Sequence, residues 1–254
     1  MKIERLRSAW LVALLAASLS CQSAEVLPAA SRQLVLVVTA DWDANQGTLR
    51  TFERGQRGWQ PRGDGFAVSI GRAGSAWGIG LHDPQAGVQK REGDGRSPAG
   101  VFAIGTAFGY ASEARAGIPY QAMSEYDYCI DVNESPLYNR IVDARNVERQ
   151  WIEKSSEPMR RDLHVNGDQR YKLGFVIDHN PKHLTTKGSC IFAHLWGTPG
   201  QTTAGCTAMN EGAMRDLLAW LDADAQPVFV LLPYPEYQRL ERAWHLPGNV
   251  PAPQ

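Results

Sequence analysis

The chain has 254 residues, 43% of them hydrophobic, an ordinary proportion for a globular protein and enough to build one large domain with a substantial core. Its formal net charge is −1, which provides no field for a nucleic acid or other polyanion. A balance so close to zero still permits a zwitterionic peptide as substrate.

The first residues read as an export signal rather than as part of the fold. Lys2, Arg5 and Arg7 form a basic start, residues 10–19 a short apolar run, and small residues follow, so residues 1–24 are expected to be a signal peptide. The run is too short for a membrane span, and no later apolar run is long enough for one. Ser18-Leu19-Ser20-Cys21 is similar to a bacterial lipobox, but serine stands where leucine is expected. Simple export to the periplasm or cell envelope is the reading, with a lipid anchor at Cys21 as the alternative.

Residues 34–38 (LVLVV) predict a buried strand and residues 49–54 an alternating, half-buried one. Residues 55–65 hold several glycines and a proline and predict a turn region; residues 66–70 predict a third strand. Residues 71–95 are glycine-rich and charged, and Lys90, Arg91 and Glu92 are expected on a solvated edge. Gly78 and Gly80 lack the third glycine and following helix of a dinucleotide fingerprint. Short strands are predicted at 101–104 and 128–132, a short helix beginning at Ser155 with Pro158 in its first turn, and a strand at 171–178. Residues 189–193 predict a strand that ends at His194. Met214, Leu217, Leu218 and Leu221 recur at helical spacing behind a cap at Asn210. Residues 226–232 close the pattern with a strand, and the proline-rich tail, 233–254, carries a short helical piece near 237–244. The class is mainly β with a few helices.

The chemistry concentrates at residues 192–209. An apolar run delivers His194; a Gly/Pro/Thr loop containing Trp196 follows, then Thr203-Ala204-Gly205-Cys206. A cysteine nucleophile needs a base and oxyanion donors. This stretch offers His194 as base, Cys206 as nucleophile and the N–H groups of Ala204, Gly205 and Cys206 as donors. Trp196, in its loop, is expected to line the cleft, and Thr203 either to bind substrate or to cap the loop. His179 and His183 are four apart, but Asn180-Pro181 between them breaks the helix that would join them, so no metal is expected. His82, His164 and His245 are expected at the surface.

His194…Thr203-Ala204-Gly205-Cys206 resembles the signature of the L,D-transpeptidase (YkuD-like) catalytic domain. A second match, Ser97-Pro98-Ala99-Gly100-Val101-Phe102-Ala103-Ile104, is similar to an earlier strand of that family. The resemblance covers residues 34–232, with 107–170 as a long insertion, and implies a β-sandwich or barrel with no cofactor. It further implies that Cys206 attacks a peptidoglycan stem peptide after a diamino acid, that His194 takes the thiol proton, and that a main-chain carbonyl such as that of Leu195 orients His194. The acyl-enzyme would pass to a second stem's amine, or to water in a hydrolase. The family often has an arginine two residues after the cysteine; here it is Ala208, which leaves that substrate contact without a counterpart. If Cys206 is the thiolate, an oxidising compartment leaves Cys129 and Cys190 as the natural disulfide pair; the alternative is three buried thiols. Two further alternatives are a papain- or NlpC/P60-like peptidase using Cys129 and a non-catalytic wall-binding module.

Overall fold

The computed structural model describes residues 26–160 and 167–253. Residues 1–24, expected to be a signal peptide, together with Cys21 and His164 lie outside the described residues. Strand β1 (Gln33–Thr39) is buried at every position. It pairs in parallel with β13 (Val228–Pro233) on one side and antiparallel with β2 (Gln46–Gly55) on the other. A strand covered on both faces has no room for polar alternation, which is why LVLVV is an unbroken apolar run.

β2 turns at Gln56 and Arg57 into β3 (Gly58–Ser69). The turn region expected over 55–65 is therefore a hairpin. Its outer half, from Gly58 to Gly65, is largely exposed and held by ladder pairing such as Glu53 with Gln60, not by burial. β4 (Ser75–Trp77) runs beside the start of β5 (Ser97–Gly109). β5 is the long strand that closes the molecule: its middle pairs with β13 and its far end with β10 (Leu173–Ile177). From β10 the sheet continues through β11 (Phe192–Leu195), β12 (Thr207–Met209), β3, β2, β1 and β13 back to β5. The sheet is thus a closed barrel, with no free edge along this circuit. Gly100 lies in β5 at φ +138°, and a Cβ there would sit 1.8 Å from His82 Nε2. That contact gives the glycine of the Ser97–Ile104 motif a steric cause.

Helix α2 (Glu211–Trp220) begins as expected, the Asn210 side chain accepting from Ala213 N–H. It buries Met214, Leu217 and Leu218. The tail does not trail away. Its helix (Tyr234–Leu240) lies earlier than predicted, and Tyr237, Trp244, Leu246 and Val250 join the main core.

In the insertion, β6 (Tyr120–Ala122) pairs in parallel with the far end of β5. A small separate sheet sets β7 (Asp127–Cys129) between β8 (Ile141–Asp143) and β9 (Glu157–Pro158). The helix here is α1 (Arg149–Lys154), and the expected helix start at Ser155 is its end. Ser155 N–H bonds back to the carbonyls of Trp151 and Ile152, and Pro158 lies in β9, opposite Tyr128. Cys129 and Cys190 form a disulfide, Cα–Cα 5.9 Å, that ties this sheet to the approach of β11.

Candidate active site

His194 lies inside β11, one residue before its end, and Cys206 immediately precedes β12. These strands are parallel, with Ala193 opposite Thr207 and His194 opposite Ala208. The loop leaving the end of β11 must therefore return to the start of β12, which brings histidine and cysteine to one cavity. Both are buried, His194 5% and Cys206 7% exposed.

The Phe192 N–H donates to Cys206 Sγ (3.3 Å), and the thiol donates to the Cys190 carbonyl (3.4 Å). His194 Nδ1–H donates to the Leu195 carbonyl at 2.7 Å, so the lone pair is on Nε2. The Tyr171 ring meets the imidazole edge to face, 5.5 Å between centroids. Burial pushes the thiol up to about 12, with the Glu157 carboxylate adding to the shift; the Phe192 N–H, Lys90 and Arg170 oppose it. Burial also holds His194 down to about 4, against the Leu195 hydrogen bond and with help from Arg170. The resting pair is a neutral thiol and a neutral imidazole.

Two cavities meet at Cys206. The smaller, about 60 Å³, is lined by His194, Tyr171, Arg170, Glu157 and Ala208 together with the 201–206 loop. The larger, about 300 Å³, is lined by Arg72, Lys90, Glu92, Asp131, Ser156, Glu157 and residues 189–191. The insertion therefore walls the site, through Asp131, Ser156 and Glu157.

The loop before Cys206 is fixed by hydroxyls. Thr203 Oγ1 donates to the Cys206 carbonyl (2.7 Å) and accepts from Gly205 N–H (3.1 Å), so this threonine caps the loop. That engagement removes Gly205 N–H from the expected oxyanion donors. Among the described residues, the N–H groups of Ala204 and Cys206 have no intramolecular acceptor. Gly205 does not adopt positive φ. It is small because a Cβ would press on the Arg96 carbonyl at 3.1 Å. Ser97 is a residue whose role its motif did not disclose. Fully buried, it donates to the Gly205 carbonyl (2.7 Å), with the Cys206 carbonyl also in reach (3.1 Å), and accepts from Gly71 N–H (2.9 Å).

Other expectations change. Trp196 lines neither cavity: its indole N–H needs an acceptor and finds Ser69 Oγ on β3, 2.8 Å away. In the charged run at 90–92, Arg91 is exposed as expected, but Lys90 and Glu92 are turned inward. Lys90 is 4% exposed and paired with Asp94 (2.6 Å), while Glu92 accepts from Ser189 Oγ (2.6 Å) and the Tyr138 hydroxyl. His82 is buried and stacked on Trp244, while His245 is exposed as expected. His179 accepts Ile79 N–H at Nδ1 (3.2 Å) and donates from Nε2 to the Lys187 carbonyl (2.9 Å), which leaves it no lone pair for a metal. Among the described residues no group of three or more histidine, cysteine, aspartate or glutamate side chains could hold a metal ion.

A closed β-barrel with cysteine and histidine presented from adjacent parallel strands is the frame of one known class of catalytic domain. The chain belongs to the YkuD family, the L,D-transpeptidase catalytic domain, whose profile matches residues 37–230. No curated protein and no solved structure gives a significant match to the chain.

Proposed function

We propose that this protein is an exported L,D-transpeptidase that acts on peptidoglycan stem peptides through an acyl-enzyme on Cys206. Family membership supports the reaction class. The observation that carries the assignment of roles is the shared cavity of Cys206 and His194, with the Leu195 carbonyl holding the His194 proton on Nδ1. Nε2 is then the base. It takes the thiol proton as sulfur attacks the carbonyl carbon after the diamino acid, and returns that proton to the departing D-amino acid. The N–H groups of Ala204 and Cys206 stabilise the oxyanion. An amine of a second stem, deprotonated by the same nitrogen, releases the acyl group as a cross-link. The disulfide and the basic, then apolar, N-terminal segment support an oxidising compartment outside the cytoplasm.

The test is incubation with tetrapeptide-bearing sacculi followed by mass spectrometry of the muropeptides. Cross-linked dimers are the expected product. Trimmed monomers alone would identify a hydrolase, and unchanged sacculi a binding module. A carbapenem is expected to add once, on the peptide containing Cys206; an adduct elsewhere would overturn the assignment.

Ser97 supplies a further check. Ser97→Ala leaves the Gly71 N–H and the Gly205 carbonyl without their buried partner. The expected loss of stability is about 1–3 kcal/mol. The loosened Cys206 loop should slow carbapenem acylation by on the order of 10²-fold, since small misplacements of a nucleophile have effects of that size. Urea denaturation and stopped-flow acylation measure the two. Wild-type acylation in the variant would show that Ser97 does not position the nucleophile.

A further inference from the structure

Arg72 is a charged group at the thiol cavity that the mechanism above does not use. It lines the larger cavity together with Ala204, Gly205 and Cys206. It is exposed there, and among the described residues its guanidinium has neither a salt bridge nor a hydrogen-bond acceptor. Lys90, the other cation of that wall, is bound to Asp94 (2.6 Å) and to the Arg91 carbonyl (2.7 Å). The acids facing the same cavity are engaged as well. Glu92 accepts from Ser189 and Tyr138, Asp131 from Ser156, and Glu157 from Tyr171. Arg72 is thus the cation left to meet a ligand.

The backbone at Arg72 is fixed to the loop that carries the nucleophile. The Arg72 N–H donates to the Thr203 carbonyl (2.9 Å), and the Thr203 N–H donates to the Ile70 carbonyl (3.0 Å). One residue earlier, Ser97 Oγ joins the Gly71 N–H to the Gly205 carbonyl. The side chain has a seat too. Gly95 lies at φ +70°, and a Cβ there would come within 3.1 Å of both Nε and Cζ of Arg72. The guanidinium therefore rests against the Gly95 backbone at the cavity wall, with its donors open to whatever enters.

The two cavities separate the two parts of an acyl donor. His194 lines the smaller one and not the larger, so the D-amino acid, whose amine takes its proton from Nε2, leaves on that side. The acyl part, which stays on the sulfur, extends into the larger cavity, where Arg72 stands. We infer that Arg72 binds a carboxylate at the far end of the diamino acid side chain, so that the site selects acyl donors in which this carboxylate is free rather than amidated. The inference rests on the transpeptidase reading and names the chain's own determinant of its acyl donor. A guanidinium gives a carboxylate two parallel, charge-assisted hydrogen bonds. A carboxamide offers one neutral oxygen and turns an NH2 donor toward the second N–H.

The experiment compares two tetrapeptides that differ at one group, the distal carboxylate of the diamino acid, free in one and amidated in the other. Binding is measured by calorimetry on the Cys206→Ala protein, where nothing reacts, and kcat/KM on the protein with Cys206 intact. The free carboxylate should be preferred about tenfold in both, the lower end of what a hydrogen bond to a charged group contributes. Arg72→Gln should bring that ratio close to one. Arg72→Lys should give an intermediate ratio, because an ammonium keeps the charge without the paired donors. It carries the test if Arg72→Gln does not fold, as judged by thermal melting. A ratio near one before any change at Arg72, a ratio unchanged by the substitutions, or an equal loss for both peptides overturns the role of Arg72 and leaves the transpeptidase reading intact. If neither peptide is bound or processed by protein with Arg72 in place, both readings fall.

Discussion

His194→Gln should slow acylation of Cys206 by on the order of 10²–10⁴-fold, the usual contribution of a positioned general base, and Cys206→Ala should abolish it. Glutamine keeps the bulk and a donor for the Leu195 carbonyl but has no basic nitrogen. The wild-type pH profile follows from the resting charges. His194 titrates at about 4 and the thiol at about 12, so acylation should rise through about pH 4 and stay flat through neutrality. A free thiol would instead give an inflection near its ordinary value of about 8.5. Stability changes in a related way. The unfolded chain protonates a histidine below about 6.5, while folded His194 and His179 resist until about 4. The unfolded state therefore binds more protons between those values, and stability is full above the upper one and falls on acidification through that window. His194→Gln should reduce that acid sensitivity, as read by denaturation at pH 4 and pH 7. A thiol inflection near pH 8.5 in acylation, or full activity in His194→Gln, would overturn the assignment of the base.

What could be read in the chain depended on which force forms each element. β1 and β13 are apolar because both faces are covered, and composition alone marks them. The outer half of β3 is polar and stands as a strand only through its ladder to β2, so its glycines and proline looked like a turn. Ser155-Ser156-Glu157-Pro158 has the residues of a helix start, but the Ser155 N–H is used to end α1 and β7 captures Glu157 and Pro158. In the site, Cys206 and His194 could be found because they lie within a short stretch of sequence, whereas the Leu195 carbonyl was suggested only by the family resemblance. Ser97 is separated from Cys206 by 109 positions and Tyr138 from Glu92 by 46, and only the folded chain joins them. Lys90 and Glu92 misled because a charge run is ordinarily solvated; here a long loop folds it inward to a wall of the cavity. Glu157 carried one local signal, an acid in an unexplained insertion, and that signal could not place it beside the thiol.

Removing the disulfide should cost more stability than any single substitution considered above. It closes a segment of 61 residues that contains β8, α1 and β9. In the chain-entropy description a loop of that length contributes about 4 kcal/mol, which for a chain of this size corresponds to a fall in melting temperature of roughly 8–16 °C. Both half-cystines are buried, so a Cys129→Ala, Cys190→Ala double variant is a cleaner probe than reductant. The functional effect should be small. His194 and Cys206 are held by the β11–β12 ladder and by Ser97 and Thr203, none of which needs the bond. The double variant should therefore retain carbapenem acylation within about tenfold. Calorimetric melting and stopped-flow acylation read the two quantities. Equal melting temperatures for wild type and variant would show that the bond does not stabilise the fold. Three free thiols in protein from an oxidising compartment would remove it from the molecule altogether.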